Sequence, residues 1–299
     1  MKPPISTSTV AFILAATVGC SESMPTQPIV MPKDALYAKQ GTTGSRMLYY
    51  DYSAVWIMNE NGSGATPLTL PADQSFDPSW APDGKRVLFN AAKGESQTSI
   101  YIMNPDGSAV TRITRPPAGS GDTRPTKFGK GIAFVRLGGP TLDIYRINID
   151  GSGETLIVSG WGPAASPSGD RLAYVSDGDI YEYNTASKQS VNLTNTPNVA
   201  EIDPSYSPNG KQIAFAARSL VLSGIYVMRA NGTAVTRIIS SSTDRHELPK
   251  WSPDGKRLAF SLMSSNFTQD VYVMNADGIG VANITNSPAT SELLTGWAR

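Results

Sequence analysis

The sequence predicts an all-β chain closed into a ring of six four-stranded antiparallel sheets, a six-bladed β-propeller. Three observations predict it. Residues 76–89, FDPSWAPDGKRVLF, and residues 99–114, SIYIMNPDGSAVTRIT, together read as four strands joined by tight turns, and weaker copies of this unit fill the chain. Pro82 fixes φ and the Asp83-Gly84 pair supplies a residue free to take positive φ, while Asp106-Gly107 marks a second hairpin. The unit is about 40–45 residues long with four strands, the period of a propeller blade. Third, the chain ends in residues 291–299, SELLTGWAR, a lone first strand in which Trp297 aligns with Trp80 and Trp251.

The blades follow in order. The first begins abruptly at Arg46 with RMLYYDY and continues as AVWIMNENGSGATPLTL, so it holds the second, third and fourth strands but lacks the first. The second is the full copy above. The third starts near Asp122, with a degenerate turn at residues 129–131 and the strands GIAFVRL and DIYRINIDGSGETLI. The fourth begins at Trp161 and replaces its last hairpin glycine by Asn184-Thr185-Ala186. The fifth opens at Glu201 and the sixth at His246, each with an intact turn at Asn209-Gly210 or Asp254-Gly255. If the C-terminal strand completes the first blade, the ring closes and no sheet edge stays free. Trp80, Tyr206, Trp251 and Trp297 are expected between blades. Tyr101, Tyr145, Tyr181, Tyr226 and Tyr272 alternate with apolar residues and are expected in blade interiors.

At 299 residues, with 25 basic and 25 acidic side chains, repetition favours one large domain over two. The charge balance gives no field that would attract nucleic acid. Residues 1–19 differ in kind: Lys2 precedes an apolar run from Val10 to Val18, too short to span a membrane, and then Gly19-Cys20. This reads as a bacterial signal peptide, and Val18-Gly19-Cys20 is similar to the lipobox of bacterial lipoproteins, in which the cysteine is lipidated. Thr17 stands where Leu is usual, and an ordinary secretory signal with a chance cysteine is the alternative. Residues 20–45 carry three prolines and no period, as a tether between a lipid anchor and a folded body from 46 to 299. The expected location is the cell envelope, facing the periplasm or the cell surface. Ser21 after Cys20 leans toward the outer membrane in a Gram-negative organism.

The segments PSYSPNG at residues 204–210 and PKWSPDG at 249–255, followed by IYVMRANG and VYVMNADG, resemble the WD-like propeller repeat of the TolB family, periplasmic components of the Tol–Pal system. The same repeat occurs in the propellers of prolyl-oligopeptidase-type peptidases. The resemblance covers about residues 46–299 and speaks for fold more than function. The TolB family carries an α/β domain before its propeller and the peptidases carry an α/β-hydrolase domain; residues 20–45 leave room for neither. The resemblance implies a non-enzymatic, envelope-anchored propeller, monomeric, that binds an envelope protein or peptide.

A search for chemistry finds little. No G-x-S-x-G elbow lies between a strand and a helix, one histidine cannot furnish a multi-histidine metal site, and no phosphate-binding loop is present. Residues 148–152, NIDGS, have a calcium-loop flavour but occupy the hairpin shared by every blade. One constellation comes from aligning the repeats. Three residues before each first-strand proline position stand Ser75, Asp122, Gly160, Glu201, His246 and, in the tail, Glu292. First strands line a propeller's channel, so these are expected as a ring at one mouth, with Asp77, Arg124 and Asp203 as a second polar tier. The ring is either a set of solvated residues at a wide funnel or an electronegative mouth for a basic peptide or a cation such as calcium. The alternative function is a hydrolase, lyase or metal-dependent carbohydrate-processing enzyme using Asp122, Glu201 and Glu292 as acid/base pair or ligands. A further alternative is a subunit whose catalytic partner is a separate chain.

Overall fold

In the computed structural model, residues 44–219, 223–287 and 290–298 are described. They form six four-stranded sheets in which every neighbouring pair is antiparallel. The expected signal peptide, Cys20 and the tether lie outside the described residues. Five sheets are built from consecutive strands. Blade 1 is the exception: Leu293–Ala298 is its innermost strand, followed outward by Arg46–Tyr50, Val55–Asn59 and Thr66–Pro67. Met47 faces Trp297 and Tyr50 faces Leu293 across the closing pair. The ring is therefore locked by its two ends, as the sequence predicts.

Hydrophobic seams between blades hold the ring. Trp297 joins Ala259 and Val271 of blade 6 to Met47 of blade 1, Trp251 does the same for blades 5 and 6, and Tyr206 for blades 4 and 5. Trp80 packs on Leu48 and Val55 of blade 1. Within each of blades 2 to 6 an aromatic pair spans the second and third strands in register: Phe89 with Tyr101, Phe134 with Tyr145, Tyr174 with Tyr181, Phe215 with Tyr226, and Phe260 with Tyr272. Their ring centroids lie 5.6–5.9 Å apart, the spacing of favourable offset stacking.

The hairpin glycines also act between blades. A Cβ at Gly107 would lie 2.8 Å from the carbonyl oxygen of Leu68 in blade 1, and one at Gly62 would lie 2.0 Å from that of Ile284 in blade 6. Both have positive φ, so glycine there meets a turn requirement and a close approach together.

Candidate functional site

A repeated irregularity of the inner strands builds the channel. In blades 2 to 6 the register breaks between Phe76 and Ser79, Thr123 and Thr126, Trp161 and Ala164, Ile202 and Ser205, and Glu247 and Lys250. Two residues are left without a partner each time. The second is a proline, which has no N–H to offer a ladder, and the first has positive φ: Asp77, Arg124, Gly162, Asp203 and Leu248. Each is a β-bulge, a device that re-aims a side chain at the expense of local pairing. For the four non-glycine residues the left-handed conformation costs on the order of 1–3 kcal/mol each, and it brings all five positions around one constriction of about 70 Å³ on the axis.

Charges meet across that constriction. Arg124 Nη1 lies 3.3 Å from Asp203 Oδ1, reaching past blade 4, where Gly162 has no side chain, and its guanidinium sits 5.1 Å from the centroid of Trp161. Asp203 also accepts from the Leu248 amide at 3.3 Å, and Asp77 accepts from Thr123 Oγ1 at 2.8 Å. Lys250 lines the same constriction without an ion-pair partner within 4.0 Å among the described residues. Burial holds its ammonium below the usual lysine range, opposed by the more distant Asp203 and Asp77. The expected second tier of Asp77, Arg124 and Asp203 is thus assembled, and Leu248 and Lys250 complete it. The sequence reading leaves out Leu248 because it is apolar, although it precedes Pro249 as Asp77, Arg124 and Asp203 precede their prolines, and Lys250 because it follows that proline.

The expected mouth ring is corrected. Ser75, Asp122, Glu201, His246 and Glu292 are all buried, with at most 5% of their surface exposed, and none lines the axial cavities described here. Their positions staple each blade to the preceding one. The backbone N–H of Asp122 donates to the Thr98 carbonyl, that of Gly160 to Leu142, that of Glu201 to Gly178 and that of Glu292 to Gln269, while His246 N–H donates to Ser223 Oγ. The side chains are tied locally. Arg136 grips Asp122 through Nε at 2.7 Å and Glu154 through Nη1 at 2.5 Å; Thr194 Oγ1 donates to Glu201 at 3.2 Å. These carboxylates do not face one shared cavity as an acid/base pair would. Among the described residues no group of three or more His, Cys, Asp or Glu side chains could hold a metal ion.

Burial displaces the titration of two staple residues in opposite directions. It pushes the Glu201 carboxyl up to about 7, with Asp179 adding to the effect and Thr196 and Thr194 opposing it. It pulls His246 down to about 4, against the pull of Asp244. For Glu201 the folded value lies above the unfolded one, so its contribution is fully present below about pH 4.5 and is lost as pH rises through 7. Glu201→Gln removes that slope. Urea unfolding should give equal stabilities for the two proteins near pH 4.5, and Glu201→Gln more stable by about 2 kcal/mol at pH 8. A constant difference at all pH values would show that Glu201 does not titrate in this range.

Beyond the constriction, on the face where the inner strands end, the channel widens into a funnel of about 590 Å³. Trp80, Tyr206, Trp251 and Trp297 contribute its aromatic wall, and prolines from four blades, among them Pro163, Pro204 and Pro253, line or rim it. Among the described residues, Lys127 and Lys250 are its only charged lining residues. Trp80 Nε1 and Ser79 Oγ, which belong to lining residues, are themselves buried without a hydrogen-bond partner.

No family model matches the chain. It is 49% identical over 39 residues to the Tol-Pal system protein TolB of Anaeromyxobacter sp. (strain K), covering 13% of this chain and 9% of that one. It is 30% identical over 147 residues to the protein TolB homolog of Chlorobium luteolum, covering 46% of this chain and 32% of that one. The matches therefore span a third or less of these curated relatives. Among solved structures, TolB from Acinetobacter baumannii superposes with a TM-score of 0.72 at 19% identity, covering 89% of this chain and 69% of that one; at this identity the likeness concerns the fold. The repeat, the ring of six four-stranded blades and these matches agree: the chain folds as a TolB-like six-bladed β-propeller.

Proposed function

We propose that this protein is a non-enzymatic scaffold of the cell envelope that binds an extended segment of a partner protein in the axial funnel. The single observation that carries the reading is the funnel itself: about 590 Å³, walled by prolines and four aromatic rings, with two lysines as the only charges among the described residues that line it. Aromatic and proline-rich walls suit an extended peptide, whose backbone is already stretched and loses little entropy on docking. The two lysines favour a segment with acidic character. Envelope location is supported by the Tol-Pal name of one relative, and anchoring through Cys20 remains part of the proposal.

Thr126 lines both the constriction and the funnel. Thr126→Trp should fill the funnel and reduce capture of partner from envelope extract at least tenfold, while the melting temperature changes by only a few degrees. Lys127→Glu, at an exposed position, should weaken capture by a smaller factor that shrinks at high salt. Undiminished capture by both variants would place binding elsewhere.

A further inference from the structure

The chain enters the folded body beside the funnel. Ser45 is buried, its Oγ accepts from Trp297 Nε1 at 3.3 Å and donates to Glu60. Glu60 in turn pairs with Arg257 at 2.9 Å, and that guanidinium lies 5.1 Å from the centroid of Trp297. Trp297 is itself a funnel wall residue. Arg46 pairs with Ala298, another lining residue. Gly44 and Ser45 therefore enter the body at the funnel's rim, and a Cβ at Gly44 would meet nothing within 4 Å, so space is open there.

The sequence just upstream has the composition that the funnel would take. Residues 24–32 read MPTQPIVMP, three prolines separated by a polar pair and an apolar triplet. Residues 24–32 carry no charge, and of the flanking charges Glu22 and Asp34 outnumber Lys33 by one, so the segment brings no excess of positive charge to a wall that holds Lys127 and Lys250. The twelve residues between Pro32 and Ser45 can span up to about 40 Å, several times the radius of such a cavity. Tethering at this length gives an effective concentration of the order of millimolar, so even weak contacts are populated.

We propose that residues 24–32 occupy the funnel in cis and that a partner segment must displace them, which makes the N-terminal segment an internal competitor for the binding site. This rests on the funnel being the partner site. The segment offers a proline-rich strand to the aromatic wall, as proline-rich ligands do in aromatic grooves.

The test uses the full chain with a photoreactive benzoylphenylalanine in place of Ile29. Irradiation should give an intramolecular cross-link to peptides containing Trp251, Tyr206 or Trp297, reduced at least tenfold by Thr126→Trp. A second variant, with residues 24–32 replaced by Gly and Ser, should bind the synthetic peptide of residues 21–34 with a change in tryptophan emission and capture partner about tenfold more tightly. Cross-links scattered over the outer blades, or no binding of the peptide by the replaced variant, would overturn the proposal. The two readings fail separately. If Thr126→Trp abolishes partner capture while Ile29 never cross-links to the funnel, only the cis occupant is wrong. If the cross-link forms but Thr126→Trp captures partner normally, the funnel is not the partner site.

Discussion

Deleting residues 292–299 should abolish cooperative folding. Blade 1 would lose its innermost strand and with it the partner of Met47, Leu48 and Tyr49, all buried in the intact ring. Burial of Leu293, Leu294 and Trp297 contributes about 1.5–3 kcal/mol each, and the sum is comparable with the whole stability of a typical domain, about 5–15 kcal/mol. The exposed edge of Arg46–Tyr50 would also template aggregation. Thermal melting followed by near-ultraviolet circular dichroism should show no sharp transition for the truncated chain. Because Ala298 lies opposite Arg46, moving residues 291–298 ahead of Arg46 through a short turn should restore it. A truncated chain that melts cooperatively within a few degrees of the intact protein would mean that the ring does not depend on its closing strand.

Removing one carboxylate from a blade seam should have the next largest effect. Asp122 is fully buried and gripped by Arg136, itself mostly buried. Asp122→Ala leaves that guanidinium with Glu154 alone, and breaking a buried pair from one side costs about 3–5 kcal/mol. For a domain of this size that is a fall in melting temperature of roughly 10 °C. Replacing both partners, Asp122→Leu with Arg136→Met, should recover most of the loss, because no buried charge is then left alone. If Asp122→Ala melts like the parent but loses partner binding, Asp122 serves a ligand and the seam reading is wrong.

The contrast between these residues and the channel tier shows what the sequence carried. The repeat made the six blades, the closing strand and the seam positions of Trp80, Trp251 and Trp297 legible, because turn chemistry and apolar spacing recur in register. Alignment also placed Asp77, Arg124 and Asp203 on the axis. It misplaced Asp122, Glu201, His246 and Glu292 because side-chain alternation cannot be counted through a bulge: an extra residue reverses which face each later residue takes. The proline of the bulge recurs in all five repeats, yet nothing in one sequence says that the residue before it takes positive φ, least of all in the four repeats where that residue is not glycine. The partners of the buried carboxylates were harder to foresee. Arg136 is 14 residues from Asp122, and only the hairpin between them brings the two together.

The central claim is that partner segments bind in the funnel, and site-specific cross-linking tests it most directly. Benzoylphenylalanine placed at Ala165 on the funnel wall, and separately at exposed Val235 on the outer surface, would be irradiated in envelope extract. The account predicts a discrete partner adduct from position 165 and none from 235. An adduct from 235 with none from 165 would contradict it.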